Sequence, residues 1–194
     1  MNMKMNSLFN IAIAILTVIV TGCAAPSAKE YGKWADALDA SAWESSQWIS
    51  AVDAPVVTGK TGDMQNNRAA DGSSWFVSTI KNEQKVASAK WMTTGLGVYE
   101  IYVNGKAIGQ EFMKPGYTHY AKTRRSFTYD ITDAFQTGAG AENQLSAQVT
   151  PGWWADKIIT PHGHEGFYGK KPAFRGVLEL TYADGTKKLY GTDL

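Results

Sequence analysis

The sequence is punctuated by turn dipeptides, each standing between two short runs rich in apolar and β-branched residues. Asn104-Gly105 separates two such runs, and Asp184-Gly185 separates two others. Both dipeptides suit the tight turn of an antiparallel hairpin, because asparagine, aspartate and glycine tolerate unusual backbone angles. The flanking runs are 98–103, 106–109, 176–182 and 187–190. A chain made mainly of such hairpins is expected to be an all-β domain.

Further runs with strand character lie between these hairpins. In the run 86–92, Val86, Ser88 and Lys90 alternate with Ala87, Ala89 and Trp91, which is typical of a half-buried strand. Only 130–136 and 35–46 have the pattern of a helical turn or two. The remaining strand candidates are 75–80, 126–131 and 145–149. Eight or so short strands with little helix predict a β-sandwich or jelly roll.

The N-terminus has the pattern of an export signal. Lys4 precedes an apolar run over 8–20, which has the length of a signal-peptide core and is short for a membrane span. The run ends in Val20-Thr21-Gly22-Cys23, which resembles the lipobox of bacterial lipoprotein precursors. This resemblance implies lipidation of Cys23 and attachment to a membrane of the bacterial cell envelope, on its periplasmic or surface face. The alternative is an ordinary secretory signal.

These features divide the chain into three parts. Residues 1–22 are predicted to be a lipoprotein signal peptide, 23–50 the lipid-attachment site and a linker, and 51–194 the β-sandwich domain.

Charge and cysteine content exclude several classes of partner. The chain of 194 residues has 19 Lys and Arg against 18 Asp and Glu, for a net charge of +1. Affinity for nucleic acid grows with the number of basic contacts, so no nucleic-acid partner is expected. A single cysteine rules out zinc ribbons and disulfide frameworks, which need several.

Several motifs occur in the order found in one family of modules. They are 97–106, 115–120, 128–132, Glu142-Asn143, 152–154, 168–172, 178–186 and 191–193. Together they resemble the N-terminal β-sandwich module of bacterial α-L-rhamnosidases over roughly residues 75–193. In that family the module precedes an (α/α)₆-barrel catalytic domain that hydrolyses terminal α-L-rhamnosides. The resemblance places the catalytic carboxylates of this glycoside hydrolase family in the barrel, not in the module.

The resemblance therefore implies a non-catalytic role for these residues. A helical barrel requires a long series of paired helices, which the sequence pattern does not contain. We expect a carbohydrate-recognition or scaffolding module for rhamnose-containing glycans. One alternative is a fragment of an α-L-rhamnosidase, an enzyme of polysaccharide degradation, whose (α/α)₆ barrel is absent from this sequence. The other is a structural module that packs on a partner catalytic domain and binds no sugar.

Aromatic and polar residues in two loops are the candidate sugar ligands. Sugars stack their C–H faces on aromatic rings and bond their hydroxyls to polar groups. Trp153, Trp154 and Asp156 supply both kinds of group in one segment, expected to be extended, so that the two indoles would face opposite ways. Tyr117 and Asn104 are the further candidates. Core packing by the two tryptophans, a structural corner at Tyr117 and turn geometry at Asn104 are the alternatives.

Some modules that resemble this one bind L-rhamnose through a calcium ion, which makes calcium a candidate cofactor here, although no D-x-D-x-D spacing selects its ligands. Calcium takes six to eight oxygen ligands, usually including carboxylates. Asp130 and Asn143 are the candidate ligands, with Asn104, Asp133 and Asp156 as further oxygen donors. The alternative for Asp130 and Asp133 is capping of the short turn that follows.

Overall fold

The computed structural model of the chain describes residues 29–51, 73–155, 157–158 and 164–193. The predicted leader, Cys23 and Asp156 lie outside these residues. The strands are β1 (Lys33–Trp34), β2 (Ser74–Lys81), β3 (Val86–Leu96), β4 (Val98–Val103), β5 (Lys106–Ala107), β6 (Phe127–Asp130), β7 (Glu142–Thr150), β8 (Lys157–Ile158), β9 (His164–Glu165), β10 (Ala173–Tyr182) and β11 (Lys187–Gly191). A 3₁₀ helix spans Ala40–Ser45, and α1 spans Gly152–Ala155.

Two antiparallel sheets form a β-sandwich, which confirms the predicted fold class. One sheet has five strands in the order β1-β6-β3-β10-β11, and the other has four in the order β2-β7-β4-β5. Strands β8 and β9 pair with each other in a separate two-stranded ribbon. Strands β3 and β10 pair over most of their length and form the centre of the five-stranded sheet. Strand β7 lies between β2 and β4 at the centre of the other sheet.

The core lies between the two sheets and follows the alternation of side chains along each strand. In β4, Tyr99, Ile101 and Val103 are buried, whereas the residues between them are half-buried on the outer face. The same alternation runs along β7, where odd-numbered residues point inward. Because successive side chains of a strand point to opposite faces, one apolar face per strand suffices to build this core.

Both predicted hairpin turns are present. Asn104 and Gly105 adopt φ angles of 51° and 75° between β4 and β5. Between β10 and β11, the carboxylate of Asp184 accepts hydrogen bonds from the backbone N–H and the hydroxyl of Thr186. The turns therefore fix the registers of these two hairpins.

The N-terminal segment differs from the expected linker over residues 29–50. Strand β1 pairs with β6 at the edge of the five-stranded sheet. The guanidinium of Arg175 donates to Ser46 and to the carbonyl of Trp43, and it lies over the Trp43 ring. Ile49 forms a backbone bridge with Phe174. This segment belongs to the sandwich because these long-range contacts, invisible in local sequence, order it. Its 3₁₀ helix lies within the stretch 35–46, where the sequence pattern predicts a helical turn.

No helix among the described residues has both the length and the apolar character needed to span a membrane.

Candidate functional site

Five aromatic residues meet near one end of the sandwich. Tyr120 lies at the centre, with its ring 5.1 Å from that of Tyr168 and 5.6 Å from that of Trp154. Tyr117 packs edge-on against both Tyr120 and Trp153, at 6.3 Å in each case. These separations and tilts are those of favourable aromatic pairs. We refer to Tyr117, Tyr120, Trp153, Trp154 and Tyr168 as the aromatic cluster.

Three segments that are distant in sequence supply the aromatic cluster. The loop between β5 and β6 carries Tyr117 and Tyr120, and α1, which follows β7, carries the two tryptophans. The segment that leads into β10 carries Tyr168. Trp153 and Trp154 stand on a helical turn rather than on the expected extended segment. Consecutive side chains on a helix point about 100° apart rather than to opposite faces. Both indoles are half-buried.

Trp154 is the inner member of the cluster. Its indole N–H donates to the carbonyl of Lys171 at 2.9 Å, and its ring stacks at 12° to that of Tyr168. A Cβ atom at Gly169 would overlap the indole, so only glycine lets the ring approach the backbone at this point. Trp154 therefore has the packing role that was the alternative to sugar binding in the sequence analysis.

Tyr117 and Phe167 form the outer rim. Tyr117 is 55% exposed, and Phe167, whose ring lies 4.8 Å from that of Tyr168, is 57% exposed. The hydroxyl groups of Tyr117 and Tyr168 lie 3.1 Å apart, within hydrogen-bonding distance of each other. The rim therefore presents ring surface and hydroxyl groups side by side to solvent.

The pKa is raised for two hydroxyls of the cluster. Burial raises the pKa of Tyr120 to about 12. The hydrogen bond with Tyr117 raises the pKa of Tyr168. A neutral phenol both donates and accepts a hydrogen bond, as a sugar hydroxyl does. The cluster is therefore suited to a polyhydroxylated, uncharged ligand.

Asn104 and Asn143 lie elsewhere, in a closed network of amides with Asn82. The Asn104 amide N–H donates to the Asn143 side-chain oxygen at 2.8 Å, and that oxygen also accepts from the backbone N–H of Gln136 at 2.7 Å. Asn82 donates to the carbonyls of Gln136 and Gly138. We refer to Asn82, Asn104 and Asn143 as the asparagine network.

The candidate calcium ligands Asn104, Asn143 and Asp130 already use side-chain oxygens within the fold. The side-chain oxygen of Asn104 accepts from the backbone N–H of Gln144, and Asn143 is fully buried. One carboxylate oxygen of Asp130 accepts from both the N–H and the hydroxyl of Thr132, which caps the turn. Among the described residues no group of three or more His, Cys, Asp or Glu is placed to hold a metal ion. The side-chain oxygens of Asn104 and Asn143 and one oxygen of Asp130 thus contribute to the fold.

A cleft of about 450 Å³ opens between the sheets along β2 and β11. Its walls are largely core aromatic and aliphatic side chains, with Ser50, Thr192 and Asp193 among its polar residues. None of the candidate ligands from the sequence lines it. The cleft marks the side of the sandwich where edge strands of the two sheets face each other without hydrogen bonds between them.

Phe167 and Tyr168 were not among the candidates from the sequence. Tyr168 contacts most of the cluster, and the exposed Phe167 packs against it. The adjacent Gly169 gives no signal for Tyr168, because the ring that packs against this glycine is that of Trp154. The contact between Tyr168 and Tyr117 spans 51 residues and has no local signal.

Comparison with known proteins gives a consistent result. A family model described as the alpha-L-rhamnosidase N-terminal domain matches residues 84–194. An alpha-L-rhamnosidase of Streptomyces avermitilis is 40% identical over 105 residues, which is 54% of this chain and 10% of that protein.

Two solved structures share the fold. The alpha-L-rhamnosidase of Aspergillus terreus aligns with a TM-score of 0.68 and 26% identity, over 80% of this chain and 17% of that one. The Streptomyces avermitilis alpha-L-rhamnosidase, solved in complex with L-rhamnose, aligns with a TM-score of 0.57 and 33% identity, over 63% of this chain and 11% of that one. This chain thus spans between about a tenth and a sixth of the length of these proteins.

Proposed function

Because this chain belongs to the family of alpha-L-rhamnosidase N-terminal domains, we propose that it is a carbohydrate-recognition module for rhamnose-containing glycans. The aromatic cluster is its binding site, with Tyr117 as the stacking surface. In this proposal the described residues bind sugar and carry out no hydrolysis.

The observation that carries the proposal is the open rim of the aromatic cluster. Tyr117 exposes 55% of its surface although its ring contacts three other rings. Because these contacts already order the side chain in the free protein, ligand binding costs less side-chain entropy. Its hydroxyl and that of Tyr168 stand beside the exposed ring. A rigid ring flanked by hydrogen-bonding groups is the arrangement that sugar binding requires.

The chemistry of L-rhamnose suits this rim. It is a neutral deoxy sugar, and its methyl group extends the apolar edge that an aromatic ring can cover. The rim hydroxyls offer both donors and acceptors to its remaining hydroxyls. The structure of the Streptomyces avermitilis relative contains L-rhamnose, which supports this choice of ligand.

The module would deliver a catalytic domain to its substrate. The relatives are named alpha-L-rhamnosidases and are six to ten times longer than the matched region. We propose that hydrolysis of terminal α-L-rhamnosides belongs to a catalytic domain outside the described residues, with which this module acts. Tethering the glycan beside that domain raises its effective concentration.

We further propose that Cys23 anchors the protein to the bacterial cell envelope. The Val20-Thr21-Gly22-Cys23 motif after an apolar run supports lipidation. Metabolic labelling with a fatty acid analogue should label the wild type, and Cys23→Ala should abolish the label. Labelling of Cys23→Ala equal to that of the wild type would remove the proposal.

Calorimetric titration of the full chain with L-rhamnose tests the recognition proposal. The titration is run with calcium and again with a chelator, and the same sample is assayed with a chromogenic α-L-rhamnoside. We expect saturable heat in both titrations, since the side-chain oxygens of Asn104 and Asn143 and one oxygen of Asp130 already accept hydrogen bonds within the fold, and we expect no hydrolysis. Heat only in the titration with calcium would contradict this expectation and support a calcium site. Absence of heat in both would favour the structural alternative, for which the packing of Trp154 is the specific support.

A further inference from the structure

The outer face of the four-stranded sheet carries a second group of aromatic and amide side chains. Strand register places Trp75 opposite Gln148 on β7, and Gln148 opposite Glu100 on β4. The next row on this face is Val77, Ser146 and Tyr102. The residues that precede and follow them along β4 and β7 are buried in the core, so these side chains point away from it. None of them belongs to the aromatic cluster.

Trp75 and Tyr102 meet across the central strand of this face. Their ring centroids are 5.5 Å apart and their planes are inclined at 33°. Ser146, which lies between the two strands, is only 9% exposed, whereas Trp75 remains 53% exposed. The two rings thus join into one apolar patch above β7, and about half of the indole stays open to solvent.

Polar groups of fixed orientation surround this patch. The side-chain amide of Gln148 donates to the hydroxyl of Ser73 at 2.8 Å, which orients the amide oxygen and nitrogen. One carboxylate oxygen of Glu100 accepts from the buried ammonium of Lys114 at 2.7 Å. Held amides and carboxylates beside an aromatic ring bond to sugar hydroxyls at little cost in side-chain entropy.

The two rows of this face carry no net charge. Glu100 is the one charged residue in the two rows, and Lys114 compensates it. The next row outward pairs Thr79 with Gln144, which adds uncharged polar groups. A face without net charge gives no electrostatic preference to an acidic or a basic ligand, and its amides and hydroxyls match a polyhydroxylated surface.

We propose that this face is a second carbohydrate-binding site, which takes a neutral glycan chain with one sugar stacked on the Trp75–Tyr102 pair and its hydroxyls bonded to Gln148 and Glu100. It shares only the general ligand class with the proposed function and uses none of the same residues. The module would then hold a terminal sugar at the aromatic cluster and a neutral chain on the sheet.

Affinity electrophoresis of the full chain tests this site. The gels contain either soluble arabinoxylan or hydroxyethylcellulose, both neutral, and a gel without polysaccharide is the reference. We expect retardation in at least one of them, and Trp75→Ala or Tyr102→Ala should weaken the apparent affinity by about tenfold. Trp75→Phe should retain most of it, because the ring is kept.

Matched variants distinguish stacking on Trp75 and Tyr102 from binding elsewhere on the domain. Leu189 lies on β11 of the other sheet and is 39% exposed, so Leu189→Ala removes exposed apolar surface away from this face. It should leave retardation unchanged, as should Tyr117→Ala in the aromatic cluster. Absence of retardation in both gels would overturn the proposal and leave the face as a surface for another protein domain. Equal losses in Leu189→Ala and Trp75→Ala would overturn stacking. Loss in Tyr117→Ala alone would assign the chain to the aromatic cluster instead.

Discussion

The asparagine network and the aromatic cluster both contain residue types typical of ligand sites, yet they are built in opposite ways. In the asparagine network the side-chain oxygens of Asn104 and Asn143 each accept hydrogen bonds from the protein, and Asn143 has no exposed surface. In the aromatic cluster Tyr117 is more than half exposed, and its hydroxyl has one partner at the surface.

The difference lies in how completely each group is satisfied within the fold. Buried polar groups are hydrogen-bonded because leaving one unpaired is costly, so a saturated network has nothing left to offer a ligand. Aromatic rings have no such saturation, since a ring with one face packed still presents the other. Exposed aromatic surface beside polar groups that the fold does not saturate is therefore a better guide to a candidate ligand site than residue type.

Asn143→Ala has the largest expected effect and tests the closed side of this comparison. It removes a side chain that accepts two hydrogen bonds and donates to Gln136 and to Asn82. The buried partners lose their bonds, so the free energy of unfolding should fall by about 3 kcal/mol. Urea denaturation measures this, with the exposed neighbour Gln144→Ala as the control. A loss below about 1 kcal/mol would mean that water replaces the amide and that the network is not closed.

Gly169→Ala tests the packed side of the aromatic cluster. The new methyl group would overlap the Trp154 indole, so the ring must move and the free energy of unfolding should fall by about 2 kcal/mol. Gly138→Ala is the matched control, since a Cβ there meets only Ala141 at 4.0 Å. Thermal denaturation and tryptophan emission follow the change. Equal stability of the two variants would show that Trp154 is loosely held.

Tyr117→Ala tests the open side of the same cluster. Loss of the exposed ring should weaken L-rhamnose binding about tenfold, or about 1.4 kcal/mol, with little change in stability. Tyr117→Phe keeps the ring and removes the hydrogen bond between the hydroxyls of Tyr117 and Tyr168. Its affinity for L-rhamnose should lie between those of the wild type and Tyr117→Ala. Calorimetric titration measures both. If Tyr117→Ala unfolds the domain, this tyrosine belongs with Trp154 to the packed side.

Glu111→Gln gives the smallest expected effect and concerns the loop that carries Tyr117. Burial works to raise the pKa of Glu111, but hydrogen bonds from Tyr129 and Trp34 and the charge of Lys114 lower it overall. A lowered pKa in the folded state stabilises the fold above the ordinary glutamate pKa, and this stability is lost as pH falls through the lower value. Glu111→Gln should therefore lose acid sensitivity.

The size of this effect is less than about 1 kcal/mol, because the carboxylate is partly solvated. Denaturation midpoints between pH 3 and 7 measure it. A wild type and a Glu111→Gln variant with the same pH profile would show that the carboxylate does not anchor this loop.

Local sequence patterns predicted much of the fold. The turn at Asn104-Gly105 and the hairpin around Asp184-Gly185 are present, since these dipeptides act through their own backbone angles. The alternation in 86–92 likewise marks a strand. Strand β1 was not predicted, because two residues at a sheet edge have no periodicity of their own and depend on pairing with β6.

The candidate site was predicted in part. Tyr117, Trp153 and Trp154 do meet, although they come from two loops and the tryptophans stand on a helical turn. Phe167 and Tyr168 were missed because their place in the site depends on contacts across about 50 residues. Asp156 lies outside the described residues, and its assignment to the sugar site stays a prediction.

By itself the sequence determined the β-sandwich, its two clearest hairpins and the resemblance to the alpha-L-rhamnosidase N-terminal domains. The fold class and the hairpins follow from residues close together in the chain, where backbone preference and side-chain alternation act directly, whereas the resemblance rests on motifs spread over roughly residues 75–193. Only the tertiary structure decided which polar groups are spent on the fold and which rings remain open. Saturation and exposure are properties of neighbours in space, and the neighbours of Asn143 and Tyr117 are set by how the strands pair.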